Sequence, residues 1–544
     1  MVVDSVGGRT LVAAMAYNAE WVPDKTVIEF CGRHISYAAF WEYTGRVAGQ
    51  LQAMGVKPGD KVMLHLPNCP EYLVSWFAIA RMGAVVVPCS TGFKRDEIRY
   101  QIDHAETDHA IVSLEAEDLV RAAGDESRRP VLITCEPGAM EDGAGALNAM
   151  LADVASSPPS TTVTPTDLAS IMYTSGTTAR PKGVLLTHGN LLHMAHNYAA
   201  AYHYTRFDRV LHYFPLYHSN GGIATLYPAL LRGATLVMMP KFSVSNFVEQ
   251  INDHEITIAA LNATHCKFLL ESEPTDRDRG HSCYRAHFAL ELDVDRRAAF
   301  EARFGIQLVE LYGLTEATPI ACTPVDSLWA IGCGPPTPGY SIRIVDDDAN
   351  DVENGVLGEI IVASHSPHGI SPGYFKEVAE TAATRRDGWL FTGDMGIVDD
   401  SGYLHFVQRK KDMIKRSGYN VGAAEVERAL TEHPSVKEAA VVGIPDAVKE
   451  EAIVGYVVLE SDSDPIDEAA LLAHCAELLA DYKLPQVVTV VDALPETFIG
   501  KLDKKALRAD AVERFGATFA RAGAPDRSPL AAGASARSTD GTPS

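Results

Sequence analysis

Paired cysteines are missing from this chain. Its nine cysteines lie far apart over 544 residues, with no CxxC pair and no Cys/His set at zinc spacing. That excludes a disulfide framework and a zinc module, and it reads as reduced, mostly buried thiols in a cytosolic protein. Positive charge is also scarce: 47 Lys and Arg stand against 71 Asp and Glu, for a net −24. A chain this acidic repels a phosphate backbone, so no nucleic-acid partner is expected. A local cluster of backbone N–H groups and lysines can still hold a small phosphorylated ligand. No apolar run approaches the roughly 18 residues of a membrane span. The opening MVVDSVGGRTLVAAMAYNAEW carries Asp4 and no basic leader, so it reads as an amphipathic first helix rather than a signal peptide. The expected location is cytoplasmic.

What is present is ordinary globular material, 47% apolar and 22% charged, in a chain too long for one core. Val27 to Ile35 reads as two short strands around Gly32. Ser36 caps a helix that ends near Met54, with Gly55 behind it. Lys61 to Leu66 is a strand, Pro70 opens a helix that stops at Gly83, and Ala84 to Val87 is a strand again. Strand, helix, strand at this spacing predicts a doubly wound, parallel-rich sheet. A similar unit recurs over Leu236–Met239 and Phe247–Ala260. The basic segment QRKKDMIKRSGYN near residue 409 marks a change of texture. Beyond it come a helix around Glu425–Leu430, strands around Glu438–Val442 and Ile453–Leu459, and a helix near Ala469–Leu479. The expected architecture is a large N-terminal α/β domain over 1–408 and a small mobile α+β domain over 409–515. The tail, 516–544, is rich in Ala, Ser, Gly and Pro and is expected to be disordered.

The strongest chemical signal is Tyr173-Thr174-Ser175-Gly176-Thr177-Thr178-Ala179-Arg180-Pro181-Lys182-Gly183. An apolar strand, Leu168–Met172, runs into a loop of hydroxyls and glycines, and a helix follows Thr187. Such a loop offers successive N–H and O–H donors to a polyphosphate, and Lys182 adds charge. An ordinary solvated linker shares that composition. Pro181 stands where the common nucleotide-binding loop needs its second glycine.

The loop resembles the phosphate-binding signature of the adenylate-forming, AMP-binding superfamily, and four further segments match in order. Phe214–Gly222 resembles the acyl-site segment, and Glu310–Glu316 the nucleotide-site segment. Gly388-Trp389 with Thr392-Gly393-Asp394 and Arg409 resembles the ribose-binding stretch. Pro495–Lys501 resembles the segment with the mobile catalytic lysine. The resemblance covers nearly the whole chain and points to its acyl-CoA synthetase branch. It implies that Thr174, Ser175, Gly176, Thr177, Thr178 and Lys182 hold phosphates, and that Leu290 and Glu291 stand beside the nucleotide. Tyr312 would stack on adenine, with Gly313 leaving room for the acyl group. Thr315 would bond the α-phosphate, and Glu316 with Thr177 would hold Mg²⁺. Asp394 and Arg409 would take the ribose, and His218 would border and gate the acyl pocket. Lys501 would stabilise charge during adenylation. Lys411 is the implied hinge; rotation there would present Arg416, Ser417, Gly418 and Tyr419 to coenzyme A. Each of these residues also has an ordinary reading: a packed core Tyr, a capping Thr-Glu pair, a turn Asp, a structural His, a surface Lys.

Two places depart from the family pattern. Ala179 replaces the last glycine of the phosphate loop, where a Cβ costs on the order of 1 kcal/mol or more. The Gly-Gly-Ala stretch upstream of Phe304-Gly305 is replaced by Phe288-Ala289-Leu290. Both bear on the nucleotide. The expected function is therefore conversion of a carboxylic acid to its CoA thioester through an acyl-adenylate, with the adenylation half-reaction weak or lost. The alternatives are a thioesterification-only enzyme fed with acyl-AMP, a stand-alone adenylation enzyme loading a carrier protein, and a non-catalytic acyl-adenylate binder. ATP or acyl-AMP, Mg²⁺, coenzyme A and an acid are the expected ligands. The acid's identity and the oligomeric state, a homodimer included, stay open.

Overall fold

The computed structural model describes residues 9–124, 128–156, 161–174, 181–289, 292, 294–327, 332–416, 419–460, 466–497 and 502–519; for Asn220, Ala289, Lys411, Tyr419 and Asn420 it describes the backbone alone. Two parallel-rich sheets form the frame. The eight-stranded sheet has the order 317–322, 307–314, 285–289, 258–262, 209–212, 235–238, 26–30, 33–36, with antiparallel strands only at its edges. The seven-stranded sheet has the order 373–374, 182–187, 168–174, 85–88, 61–65, 109–113, 131–135. One continuous apolar core joins the two. Val27, Ile28 and Leu236 enter it from the first sheet and Val62, Leu64 and Val184 from the second. Phe40, Phe77, Leu191 and Tyr198 fill it from the intervening helices.

Local chemistry sets these elements as expected. Ser36 Oγ accepts from the Ala39 N–H at the start of the Tyr37–Ala53 helix. Pro70 opens the Pro70–Arg81 helix, and Gly83 follows it at φ +71°. The Leu11–Trp21 helix buries Leu11, Val12 and Met15 and leaves Tyr17 and Trp21 exposed.

Three features differ from the reading above. A third sheet, antiparallel and five-stranded, lies over Tyr340–Val345, Gly358–Ser364, Arg385–Arg386, Trp389–Val398 and Leu404–Arg409. Much of it is half-buried rather than cleanly alternating, so no period-2 pattern advertises it. The basic segment, read only as a change of texture, carries strands of its own: Met413–Arg416 pairs antiparallel with Tyr419–Gly422, and Ile414 and Val421 turn inward to the C-terminal core. The strands Val436–Asp446 and Glu450–Leu459 are longer than expected and form one hairpin, because backbone pairing continues past the apolar stretch.

A buried charge ties the large sheet together. Glu29, 6% exposed, accepts from Arg209 Nη2 at 2.5 Å and lies 2.6 Å from His254 Nδ1, spanning the intervening Thr235–Met238 strand. Burial by itself would raise its pKa, but the bonds to Arg209 and His254 outweigh that and hold the carboxyl below its usual range. A depressed folded-state pKa supplies stability that is present above the unfolded value and lost as pH falls through the folded one. Glu29→Ala is expected to cost about 2 kcal/mol, between the exposed and fully buried cases. Its deficit should shrink in urea titrations taken below about pH 4.5. Equal deficits at pH 7 and pH 3.5 would show that the charge contributes nothing.

Candidate active site

Four neighbouring strands of the large sheet, Arg209–His212, Ile258–Asn262, Arg285–Ala289 and Gln307–Leu314, run parallel and so end at one edge. Ligands of open parallel sheets bind beyond the carboxyl ends of the strands. Topology thus brings to one edge the Phe214–Gly222 segment, the Asn262–Cys266 segment and the Tyr312–Glu316 segment. Leu290 and Glu291 lie outside the described residues. Phe288 is fully buried among the core of the helices beneath the sheet, so its ring is accommodated there.

The phosphate-loop segment joins two antiparallel strands, Leu168–Thr174 and Lys182–Thr187, with Thr174 opposite Lys182. It is a hairpin connection, and the helix that Thr187 caps begins only after the second strand. No helix N-terminus therefore follows the loop directly, and any anion bound there relies on loop donors and Lys182. Ser175, Gly176, Thr177, Thr178 and Ala179 lie outside the described residues.

Lys182 meets the neighbouring strand of its sheet and the helix that follows it. Its Nζ contacts Glu380 Oε2 at 2.5 Å and lies 5.5 Å from the Tyr374 ring centroid. Tyr374, paired with Val184, donates its hydroxyl to Glu316 Oε1 at 2.6 Å. The Glu316 carbonyl accepts from the Ser371 N–H at 2.8 Å, and Arg385 donates to Ser371. Burial lowers the pKa of Arg385, while Tyr374 and Glu316 work against that. The lysine of the first motif and the glutamate of the third are therefore bridged by one tyrosine. Among the described residues no cluster of three His, Cys, Asp or Glu could hold a metal. One carboxylate beside a phosphate site nonetheless suits Mg²⁺, which takes few protein ligands and completes its shell with phosphate oxygens and water.

Asp394 sits where the Trp389–Val398 strand bulges. Gly393 takes φ +70°, its N–H donates to Glu359 at 3.1 Å, and Asp394 N–H donates to Thr392 Oγ1 at 3.1 Å. The bulge turns the carboxylate inward, where it is 1% exposed. Tyr312 donates its hydroxyl to Oδ2 at 2.8 Å, and Arg409 Nε stands 2.9 Å from Oδ1. Burial pushes the Asp394 carboxyl above its usual range; Arg409 and Tyr312 oppose this, while Glu316 and Glu359 add to it. The Tyr312 ring is itself buried and stacks on Phe406 at 6.1 Å and 21°. At Gly313 a Cβ would fall 2.2 Å from Thr318 Oγ1, so the close approach of the next strand requires glycine there.

The acyl-site segment has its own supports. Asn68 takes Leu216 N–H on Oδ1 at 3.0 Å and donates to the Tyr213 and Phe214 carbonyls at 3.1 Å. His218 is half-buried; its N–H donates to Pro215 O at 3.0 Å, and its carbonyl accepts from Gly221 and Gly222. A π-helical turn over Gly222–Leu226 follows, a form common beside functional sites. His265 packs among Tyr213, Phe214 and Phe242, and burial lowers its pKa to about 4, so the ring is neutral at pH 7.

On the C-terminal side, Ser417, Gly418 and Lys501 lie outside the described residues, as do the side chains of Lys411 and Tyr419. Arg416 is buried and donates to Leu484 O at 2.9 Å. Lys410 bridges Asp347 and Glu359 at 2.9 and 2.8 Å.

Sequence reading missed Tyr374, Glu380, Arg385 and Asn68. Each is a single residue whose meaning depends on a contact far along the chain. Cavity size does not mark the site either: one cavity of about 230 Å³, lined by Ala200, Cys322 and Pro338, touches none of these residues.

A family described as AMP-binding enzyme matches residues 15–375, and its C-terminal domain matches 425–501. The chain is 33% identical over 521 residues to the crotonobetaine/carnitine–CoA ligase of Salmonella arizonae, covering 93% of this chain and 100% of that one. ATP-bound MatB of Rhodopseudomonas palustris is 30% identical, superposes with a TM-score of 0.84, and is covered over 98% of its length by 92% of this chain. The o-succinylbenzoate–CoA synthetase of Bacillus subtilis, in complex with its acyl-adenylate intermediate, is 27% identical with a TM-score of 0.79; 91% of this chain covers 97% of it.

Proposed function

Since this chain belongs to the AMP-binding enzyme family, in its acyl-CoA ligase branch, and is an acid–thiol ligase, we propose that it works in two steps on one bound nucleotide. In the first, a carboxylate oxygen attacks the α-phosphorus of ATP, the bond to pyrophosphate breaks, and acyl-AMP forms. In the second, the thiolate of coenzyme A attacks the acyl carbon and AMP leaves. The carrying observation is the convergence of Lys182, Glu316, Asp394 and Arg409, from four separate segments, around Tyr374 and Tyr312.

Asp394 Oδ1 is buried and, though ion-paired with Arg409, takes no hydrogen bond from any described residue, which fits a sugar hydroxyl as donor. Lys182 and the hydroxyl-rich loop hold the phosphates, with Glu380 as the lysine's partner when no phosphate is bound. Glu316 and Thr177 would hold Mg²⁺, and Thr315 would orient the α-phosphate; the metal, when bound, supplies charge neutralisation at phosphorus. His218 borders the acid. The boundary falls at Arg409, with 1–408 and 409–515 as the two bodies and Lys411 as the pivot. Rotation there exchanges Lys501 for the Ser417–Tyr419 face, where coenzyme A enters.

Adenylation is the weaker half-reaction. With the Phe288 ring placed in the core, that reading rests on Ala179 and on Ala289-Leu290, the rest of the replaced stretch. The test supplies free acid with MgATP, then synthetic acyl-adenylate with coenzyme A, beginning with crotonobetaine and carnitine, for which one relative is named. Fast thioester formation from the adenylate, with slow pyrophosphate release from free acid, is the expected pattern. Brisk pyrophosphate release from a free acid would remove the weak-adenylation reading and leave the ligase. Silence in both assays across a wide panel of acids would remove the two-step reading.

A further inference from the structure

Tyr312 and Asp394 come from different sheets and meet in the interior. The Asp394 carboxylate is 1% exposed, and the Tyr312 hydroxyl donates to its Oδ2 at 2.8 Å. Its Oδ1 faces Arg409 Nε at 2.9 Å, an ion pair without the alignment of a hydrogen bond, and takes no hydrogen bond from any described residue. An unmade bond on a buried acceptor is costly, and such atoms are kept where a ligand completes them. The phenol cannot swing away, because its ring is buried against Phe406 at 6.1 Å and 21°. A carboxylate pinned at one oxygen by a fixed phenol presents the other in a single direction.

We propose that the Tyr312 hydroxyl is a positioning group for ribose recognition, holding Asp394 so that Oδ1 accepts from the sugar's vicinal hydroxyls. This role is separate from any stacking of the ring on the base, and it rests on the ligase reading only for the nucleotide. The two roles part in Tyr312→Phe, which keeps the ring and removes the oxygen.

The variant and the parent protein are compared with ATP and with 2′,3′-dideoxyATP in pyrophosphate release. AMP and 2′,3′-dideoxyAMP binding is measured by calorimetry. The hydroxyl role predicts that kcat/KM for ATP falls about tenfold in Tyr312→Phe, mostly through KM, with the dideoxy nucleotide unchanged. The preference for ribose over dideoxyribose then falls by the same factor. Unchanged dideoxy turnover also shows that the variant is folded. A packing role lowers both nucleotides alike, and that result overturns the proposal, as does an unaltered preference. If the parent protein releases no pyrophosphate with any acid, as a lost adenylation step would give, the AMP to dideoxyAMP affinity ratio decides the hydroxyl's role. Absence of binding by either monophosphate overturns both.

Discussion

Lys501→Ala is expected to slow acyl-adenylate formation about a hundred- to a thousand-fold while leaving thioester formation from supplied acyl-AMP near the parent rate. The magnitude is that of removing one preorganised donor from developing negative charge in a water-poor site. The asymmetry follows from the two-position scheme: the lysine faces the α-phosphate in one orientation of the small domain and is swung away in the other. Pyrophosphate release and acyl-AMP-dependent thiol consumption, measured side by side, check it. An equal loss in both would mean that Lys501 acts by holding the fold or by binding AMP, and the alternation scheme would fall.

The second large effect belongs to Glu316. Glu316→Gln keeps an oxygen for the Tyr374 hydroxyl, now 2.6 Å from Oε1, but removes the charge proposed for Mg²⁺. Loss of a fixed charge at phosphorus is expected to cut overall thioester synthesis about a hundred-fold. Raising Mg²⁺ should recover part of the loss, because a weakened metal site is filled by mass action. The Mg²⁺ dependence of ATP-induced thermal stabilisation gives a reading that does not require turnover. If the variant synthesises thioester at the parent rate, Glu316 holds neither metal nor phosphate charge, and the placement of the triphosphate beside it is mistaken.

Local chemistry made much of the scaffold legible. Ser36, Pro70, Gly55 and Gly83 act through their immediate neighbours, so the helices they bound and the strands between them could be read directly. The order of the motif segments was visible for the same reason. The antiparallel sheet over 340–409 was not, because its half-buried strands lack alternation. Nor could the hairpin setting of the phosphate loop be read, since Thr174 and Lys182 meet only through pairing. Glu29 illustrates the limit: in sequence it is an acid in an apolar strand, and only Arg209 and His254, far along the chain, explain it.

Composition and short-range pattern by themselves determined an acidic, parallel-rich α/β chain, and its ordered segments carried the resemblance to the adenylate-forming superfamily. They did so because caps, turns and motif spacing are properties of consecutive residues. Only the tertiary structure decided that Lys182 meets Glu380, that Tyr374 holds Glu316, and that Tyr312 and Arg409 share Asp394. Those contacts are set by which strand ends share an edge and by the bulge at Gly393. Side chains distant along the chain become partners only once the sheets have closed around one core.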